Sequence, residues 1–161
     1  MLYYKDYFIT VSEVPDEIAL AFTITGCKLR CVDCHSRELW EEHGTKLTVE
    51  KLKQLMLQNQ GISCVLFLGG EHKYEDLINL AYYVKEQSNN LLLHPLKTAL
   101  YTGLNLENAN RVFSTSINCF DYLKVGPYIK ALGGLSNKTT NQRMYRGNDL
   151  ITYKFWRGDN D

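Results

Sequence analysis

Three cysteines lie within eight residues in the first quarter of the chain, and thiols at this density are typical metal ligands. Cys27, Cys31 and Cys34 follow a C-x3-C-x2-C pattern. Thiolate is a soft ligand that favours zinc or an iron–sulfur cluster, and both kinds of site usually take four protein ligands. Because this loop offers only three, it predicts a metal cluster with one metal position left open for chemistry.

A structural zinc site is the alternative interpretation of the same loop. It needs a fourth ligand, and the sequence offers His35, Cys64 and Cys119 for that role. His35 is next to Cys34, which is an awkward position for binding the same ion. Cys64 lies in an apolar run, where a free cysteine behaves as a small hydrophobic residue. Five cysteines with three clustered favour metal binding over a disulfide framework.

The composition narrows the possible partners. Eighteen basic and eighteen acidic residues give a formal net charge of zero, so a broad phosphate-binding surface and a nucleic-acid partner are not expected. No apolar run approaches the roughly 20 residues of a membrane helix, and the N-terminus carries no signal-peptide pattern. We therefore expect a cytoplasmic protein without a membrane partner.

Strands that alternate with helices must position the cysteines. Apolar spacing predicts helices after Thr48, Glu71 and Asn105, the second of them ending at 88–90, and residues 1–17 are predicted to be irregular. The predicted strands are 18–25, 62–68, one within 91–101, 117–125 and a short one within 150–156. The alternation predicts a single α/β domain over 1–161. We expect an incomplete, open parallel β/α barrel, since a complete one takes about 250 residues.

Three of the predicted strands end in residues suited to binding a ligand. The cysteine loop follows the first, Gly69-Gly70-Glu71 follows the second and Thr102-Gly103 follows the third. Glycines admit positive φ and the close approach of a ligand, while a glutamate can accept hydrogen bonds from an ammonium group. Because ligands of parallel α/β folds bind at the carboxyl ends of strands, we expect these three segments to meet. Taken alone, each has an ordinary explanation as a turn.

The cysteine spacing resembles the signature of radical S-adenosylmethionine (SAM) enzymes. Three further segments make the chain similar to the activating proteins of anaerobic (class III) ribonucleotide reductases. They are Thr25-Gly26-Cys27, Cys34-His35-Ser36 with Leu39-Trp40, and Thr140-Asn141-Gln142-Arg143. The resemblance runs from about residue 18 to residue 146.

This resemblance implies two cofactors and their ligands. A 4Fe–4S cluster would be held by Cys27, Cys31 and Cys34, with SAM bound through its amino and carboxylate groups to the fourth iron. The residues implied to contact SAM are Asp33, Cys34, His35, Gly69, Gly70, Glu71 and Thr102. No catalytic residue beyond the cluster and SAM is implied.

The resemblance also implies the reaction and the partners. A low-potential donor of the flavodoxin or ferredoxin type would supply one electron, and a carbon–sulfur bond of SAM would break to give a 5′-deoxyadenosyl radical. That radical would take a hydrogen atom from a glycine of the anaerobic ribonucleoside-triphosphate reductase large subunit. Two alternatives stay open: a radical SAM enzyme with another protein or a small molecule as substrate, and a non-catalytic zinc or iron–sulfur module.

The chain departs from the family pattern at several points. His72-Lys73 stands where Pro-Leu is common, Val125 occupies the place of an aspartate, and Ser12 to Glu17 replaces a glycine-rich segment. Asp121 and Lys124 are the polar groups left on that strand. Each is expected either to reach the site or to serve only the fold.

Overall fold

The computed structural model describes residues 1–91 and 94–156, without the side chains of 88–91. In this part of the chain one sheet of eight strands packs against three α-helices. The strands are β1 (Tyr3–Thr10), β2 (Ala19–Ile24), β3 (Thr45–Lys46), β4 (Cys64–Leu68), β5 (Lys97–Tyr101), β6 (Tyr122–Val125), β7 (Arg143–Arg146) and β8 (Asp149–Leu150). The helices are α1 (Val49–Gln58), α2 (Tyr74–Leu91) and α3 (Leu106–Phe113).

The sheet is mixed, with the strand order β3-β1-β2-β4-β5-β6-β7-β8. The central strands β2, β4, β5 and β6 are parallel, whereas the four outer pairings are antiparallel. The α/β class is therefore confirmed, but the prediction of a wholly parallel sheet is wrong. The loop between β1 and β2 is too short for the crossover of a dozen or more residues that parallel neighbours need.

Residues 1–17 are not the irregular lead-in that the sequence suggested. They contain β1, which pairs antiparallel with β2 from Tyr4 opposite Ile24 to Thr10 opposite Ala19. Aromatic and β-branched residues such as Tyr7 favour strands, and this signal was outweighed by the nearby turn at Pro15. β1 was therefore missed from the sequence, and it lies next to β2, the strand that leads into the cysteine loop.

The predicted starts of the helices agree with the structure better than the predicted ends of the helices and strands do. Thr48 Oγ1 accepts from the Lys51 N–H at 3.0 Å and Asn105 Oδ1 accepts from the Asn108 N–H at 2.8 Å, as N-caps do. The expected stop at 88–90 is wrong, because α2 continues to Leu91.

Four of the five predicted strands are present as β2, β4, β5 and β6, and β5 lies within the predicted range whereas β6 is shorter than expected. Positions 92 and 93 of the predicted third strand lie outside the described residues. The predicted last strand is wrong, since only Leu150 of it pairs, in β8, and residues 152–155 form a 3₁₀ turn.

All three helices pack on one face of the sheet. Strands β2, β4, β5 and β6 step across the sheet in one direction, so right-handed crossovers place every helix on the same side. The large core there includes Leu52 of α1, Leu77 of α2 and Phe113 of α3 against Phe22 and Phe67 of the sheet. No helix in the ranges described is both long and apolar enough to cross a bilayer.

The opposite face carries no α-helix in the described chain. Its buried side chains are Val14, Ala19, Ala21, Cys64, Leu66, Ala99, Tyr122, Met144 and Ile151. Loops and the 3₁₀ turn at 152–155, which packs there through Phe155, therefore cover this face.

Candidate functional site

Four strand ends meet at the carboxyl edge of the parallel strands. The cysteine loop leaves β2, Gly69-Gly70-Glu71 leaves β4, Thr102-Gly103 leaves β5, and Lys124 lies near the end of β6. The parallel register pairs Thr23 with Leu68 and Leu68 with Tyr101, which brings the first three segments to one level. The expected meeting of these segments is confirmed.

The cysteine loop is held by backbone hydrogen bonds and leaves its thiols partly accessible. The Gly26 and Cys27 N–H groups both donate to the Leu39 carbonyl, at 2.7 and 3.0 Å, which closes the base of the loop. Cys27, Cys31 and Cys34 are free and half-buried. Burial raises the pKa of the Cys27 and Cys31 thiols, so positive charge from a bound metal is needed to favour their thiolate forms.

The other two cysteines lie away from this loop. Cys64 begins β4 and Cys119 precedes β6, so both belong to the opposite edge of the sheet, and both are buried in apolar cores. Burial raises the pKa of Cys64 far above its usual value and that of Cys119 to about 12. Neither can complete a zinc site with the loop. Within the described residues no three His, Cys, Asp or Glu side chains are grouped around one ion position.

The Gly69-Gly70-Glu71 turn presents a buried carboxylate. Gly69 and Gly70 have φ values of +98° and +109°, which strain any residue with a Cβ. Glu71 Oε2 is buried and has no hydrogen-bond partner among the described atoms. Burial raises the pKa of Glu71, while Lys124 opposes that rise. A buried acceptor without a donor is costly, and an ammonium group of a ligand would satisfy it.

Lys124 reaches the site, whereas Asp121 does not. The Lys124 side chain is 8% exposed, and its Nζ lies 5.3 Å from the centre of the Tyr101 ring. Burial lowers the Lys124 pKa to about 8, and attraction to Glu71 and then to Cys31 works against that shift. Asp121 instead accepts from Lys85 Nζ at the opposite edge of the sheet, so it serves the fold.

The end of β5 packs directly against the cysteine loop. A Cβ on Gly103 would lie 2.6 Å from Leu29 Cδ1 and 4.0 Å from Cys31 Sγ. This close approach is a reason for glycine at position 103 that the sequence did not reveal. Thr102 is buried and its Oγ1 accepts from the Leu104 N–H at 3.2 Å, so it forms a turn here. Its contact with SAM stays a prediction.

Asp33 and His35 are joined to the segment that follows β6. Asp33 Oδ2 accepts from the Lys130 N–H at 3.0 Å, and the ring centre of His35 lies 4.4 Å from that of Tyr128. These contacts tie the far side of the cysteine loop to the sheet. A role of either residue in binding SAM stays a prediction.

The Asn141-Gln142-Arg143 segment has a structural role that was not evident from sequence. Asn141 Nδ2 donates to the Pro127 carbonyl at 3.0 Å, and Gln142 Nε2 donates to that of Gly126 at 3.4 Å. Arg143 donates to the carbonyls of Thr140 and Gln142. The segment therefore holds the turn that follows β6. Lys124 lies on β6 itself, close to that turn.

Lys73, one of the two departures after Glu71, fastens the site to the N-terminus. Its Nζ donates to the Met1 carbonyl at 2.6 Å and to Glu42 Oε2 at 2.5 Å, and it lies 5.6 Å from the ring centre of Tyr3. Lys73 therefore joins the turn after β4, the N-terminus and the segment around Glu42 through polar contacts.

Comparison with known families identifies the class of this protein. Residues 18–146 match the family described as 4Fe-4S single cluster domain. The match covers most of the 161 residues, and the chain belongs to this family. No curated protein matches the chain. A 4Fe–4S cluster is thus the cofactor that the family indicates, and the free thiols of the cysteine loop have the chemistry to bind it.

Proposed function

We propose that this protein is a radical SAM enzyme that generates a glycyl radical on an anaerobic ribonucleoside-triphosphate reductase. A 4Fe–4S cluster with SAM bound to it would supply the reductive cleavage of SAM and the abstraction of a hydrogen atom. The observation that carries the proposal is Glu71 Oε2, which is buried without a partner among the described residues and whose carboxylate adds to the effect of burial in raising the pKa of the Cys27 and Cys31 thiols. A ligand with an ammonium group would supply the missing donor.

The residues around Glu71 fit the methionine end of SAM. The carboxylate of Glu71 would accept from the amino group of SAM, a charge-assisted bond that also offsets the cost of burying it. Burial lowers the pKa of Lys124, and Glu71 and Cys31 are close enough for their charges to oppose that shift. The ammonium group of Lys124 can pair with a carboxylate of the ligand. The left-handed conformations of Gly69 and Gly70 leave the backbone free of side chains there.

Cys27, Cys31 and Cys34 would bind three irons and leave one for SAM. Cys64 and Cys119 cannot supply the missing ligand, because they lie toward the opposite edge of the sheet. The remaining task of the chain is to hold SAM in one orientation and to keep water from the reacting atoms. The Thr102-Gly103 end of β5 lies against the cysteine loop and helps to close that space.

A protein substrate is supported by the helix-free face of the sheet. A cavity of about 400 Å³ lies beside Lys124 and Tyr101, between Glu13 and Gln142. A glycine loop of a partner could enter from this side and bring its α-carbon to near-attack distance of roughly 3–3.5 Å. The reductase is favoured over other partners by the resemblance at Asn141-Gln142-Arg143.

Anaerobic reconstitution with iron and sulfide, followed by electron paramagnetic resonance, tests the proposal. The reduced protein should give a 4Fe–4S signal that changes when SAM is added, and methionine and 5′-deoxyadenosine should form. Mixed with a class III reductase, it should produce a glycyl doublet that is lost when the target glycine is replaced by alanine.

The outcomes separate the alternatives. A cluster whose signal does not respond to SAM would reduce the protein to a non-catalytic iron–sulfur module. Efficient SAM cleavage without a radical on the reductase would place the protein in another branch of radical SAM enzymes. The Cys31→Ala variant is the control, because it should give neither signal.

A further inference from the structure

His72 is a buried imidazole that the proposed reaction does not use. It lies in the 3₁₀ turn Glu71–Lys73, directly after the two left-handed glycines. Both of its ring nitrogens, Nδ1 and Nε2, are buried and have no hydrogen-bond partner in the part of the chain that the structure describes. Leaving one buried polar group unpaired costs about 1–3 kcal/mol, so two in one ring require an explanation.

The His72 ring lies against the base of the cysteine loop. A Cβ built on Gly26 would fall 2.9 Å from His72 Nε2 and 3.5 Å from its Cε1. Gly26 also has a φ of +89° and immediately precedes Cys27. Glycine at position 26 therefore leaves the space that the imidazole fills, and Nε2 faces the residue next to the first cysteine.

Burial and the charged groups around the ring lower its pKa and so favour its neutral form. Burial lowers the His72 pKa, and the positive charges of Lys73, Lys28 and the N-terminus lower it further, against the single carboxylate of Glu42. A neutral imidazole has one N–H donor and one acceptor nitrogen. The ring can therefore donate one hydrogen bond without adding a positive charge to the site.

We propose that His72 donates a hydrogen bond from Nε2 to sulfur of the cluster at Cys27 and so raises the reduction potential of the cluster. Hydrogen bonds to the sulfurs are among the factors that set such potentials. The cluster gains one negative charge when it accepts an electron from a reductant, and a donor stabilises the more negative form. His72 is thus a positioning and tuning residue, not a ligand.

The inference rests on the proposed function only in requiring the 4Fe–4S cluster, since neither SAM nor the reductase takes part in the measurement. The full-length reconstituted protein would be titrated with dithionite in the presence of redox mediators. The amplitude of the reduced-cluster signal in electron paramagnetic resonance gives the potential. SAM cleavage is measured separately, so a failed radical reaction leaves the titration interpretable.

Three variants form the test. His72→Leu removes both nitrogens and should lower the equilibrium constant for reduction about tenfold, which is about 59 mV for a one-electron couple. His72→Gln keeps an N–H donor and should restore most of the wild-type potential. His94→Leu is the matched control: the His94 ring bonds the Ile62 carbonyl at the opposite edge of the sheet, at 2.8 Å, and its loss should leave the potential unchanged.

A measurement on the unmutated protein guards against variants that do not fold. Protein labelled with ¹⁵N-histidine should show a weak nitrogen coupling in pulsed electron paramagnetic resonance of the reduced cluster, as expected through a hydrogen bond. A strong coupling that persists in a His35→Phe variant would make His72 a direct iron ligand and overturn the proposal. So would a potential that is equal in wild type and His72→Leu, or a complete absence of nitrogen coupling.

Discussion

The charged side chains at the two edges of the parallel strands differ in whether their polar atoms have hydrogen-bond partners among the described residues. At the amino edge, Asp121 accepts from Lys85 at 2.8 and 2.9 Å and from the Thr98 N–H at 2.9 Å. At the carboxyl edge, Glu71 Oε2 and both His72 ring nitrogens are buried and have no such partner among the residues described.

The second charged pair shows this contrast in part. Glu17 enters the amino edge, where its Oε1 accepts from Lys97 Nζ at 2.8 Å and from the Tyr122 hydroxyl at 3.1 Å, while its Oε2 is buried without a partner among the described residues. At the carboxyl edge, Lys124 Nζ donates one long hydrogen bond of 3.4 Å to the Gly126 carbonyl and lies near the Tyr101 ring, within the part of the chain that the structure describes. Polar groups with partners stabilise the fold, whereas those without them are suited to a ligand, so changes at the two edges should have separable effects.

The largest effect is expected at the cysteine loop. Replacing Cys27, Cys31 or Cys34 by alanine should abolish the 4Fe–4S absorbance, because each thiolate is expected to bind its own iron. Cys64→Ala and Cys119→Ala should keep the cluster, since they alter only packing. If Cys64→Ala lost the cluster as completely as Cys31→Ala does, the assignment of three ligands and one open iron would be wrong.

The next largest effect concerns Glu71. Glu71→Ala should weaken SAM binding by about 1.5–3 kcal/mol, the value of a hydrogen bond to a charged group, while the cluster still assembles. Anaerobic titration calorimetry measures the affinity. Glu41→Ala is the control, because that carboxylate lies exposed on the neighbouring loop and pairs with Arg30. Equal affinities of Glu71→Ala and wild type would leave the Gly-Gly-Glu segment as a simple turn.

Replacing Asp121 should affect the stability of the fold and not the binding of SAM. Asp121→Ala leaves the Thr98 N–H without its side-chain acceptor and should lower the free energy of unfolding by about 1–3 kcal/mol. Urea denaturation followed by circular dichroism measures this loss. SAM affinity of the folded variant should not change. A variant that kept its stability but lost SAM binding would contradict the distinction between the two edges.

The smallest effect is expected at Gly103. Gly103→Ala would force Leu29 to move and should cost about 1 kcal/mol of stability, at the low end of overpacking. Adding Leu29→Ala should remove the clash, so the double-mutant cycle should show coupling. Gly61→Ala is the control, because a Cβ there meets nothing within 4 Å. Independent effects of the two changes would show that β5 and the cysteine loop are not in contact.

Local patterns in the sequence were sufficient for much of the fold. The N-caps at Thr48 and Asn105, the buried strand β4 and the turn at Gly69-Gly70 depend on neighbouring residues, and each was predicted. The end of α2 and the structure of residues 150–156 were not predicted correctly, because the ends of helices depend on tertiary packing as much as on propensity.

The antiparallel flanks could not be predicted in the same way. β1 has exposed Tyr7, Phe8 and Ile9, and its pairing comes from β2 on one side and β3 on the other. β7 is four residues long, and it pairs with β6 across the long connection 126–142. A strand as short as β7 has little pattern of its own, and both flanking strands are stabilised by the strands that they pair with.

By itself, the sequence determined which chemistry is available: three thiols on one loop, a carboxylate after two glycines, and strand ends that bring them together. Those features follow from residue type and local spacing. Only the tertiary structure decided that Lys124 faces the site while Asp121 pairs at the opposite edge. It also placed His72 against Gly26 and Gly103 against Leu29, because contacts between residues far apart in the chain depend on the register of the sheet and on the path of each loop.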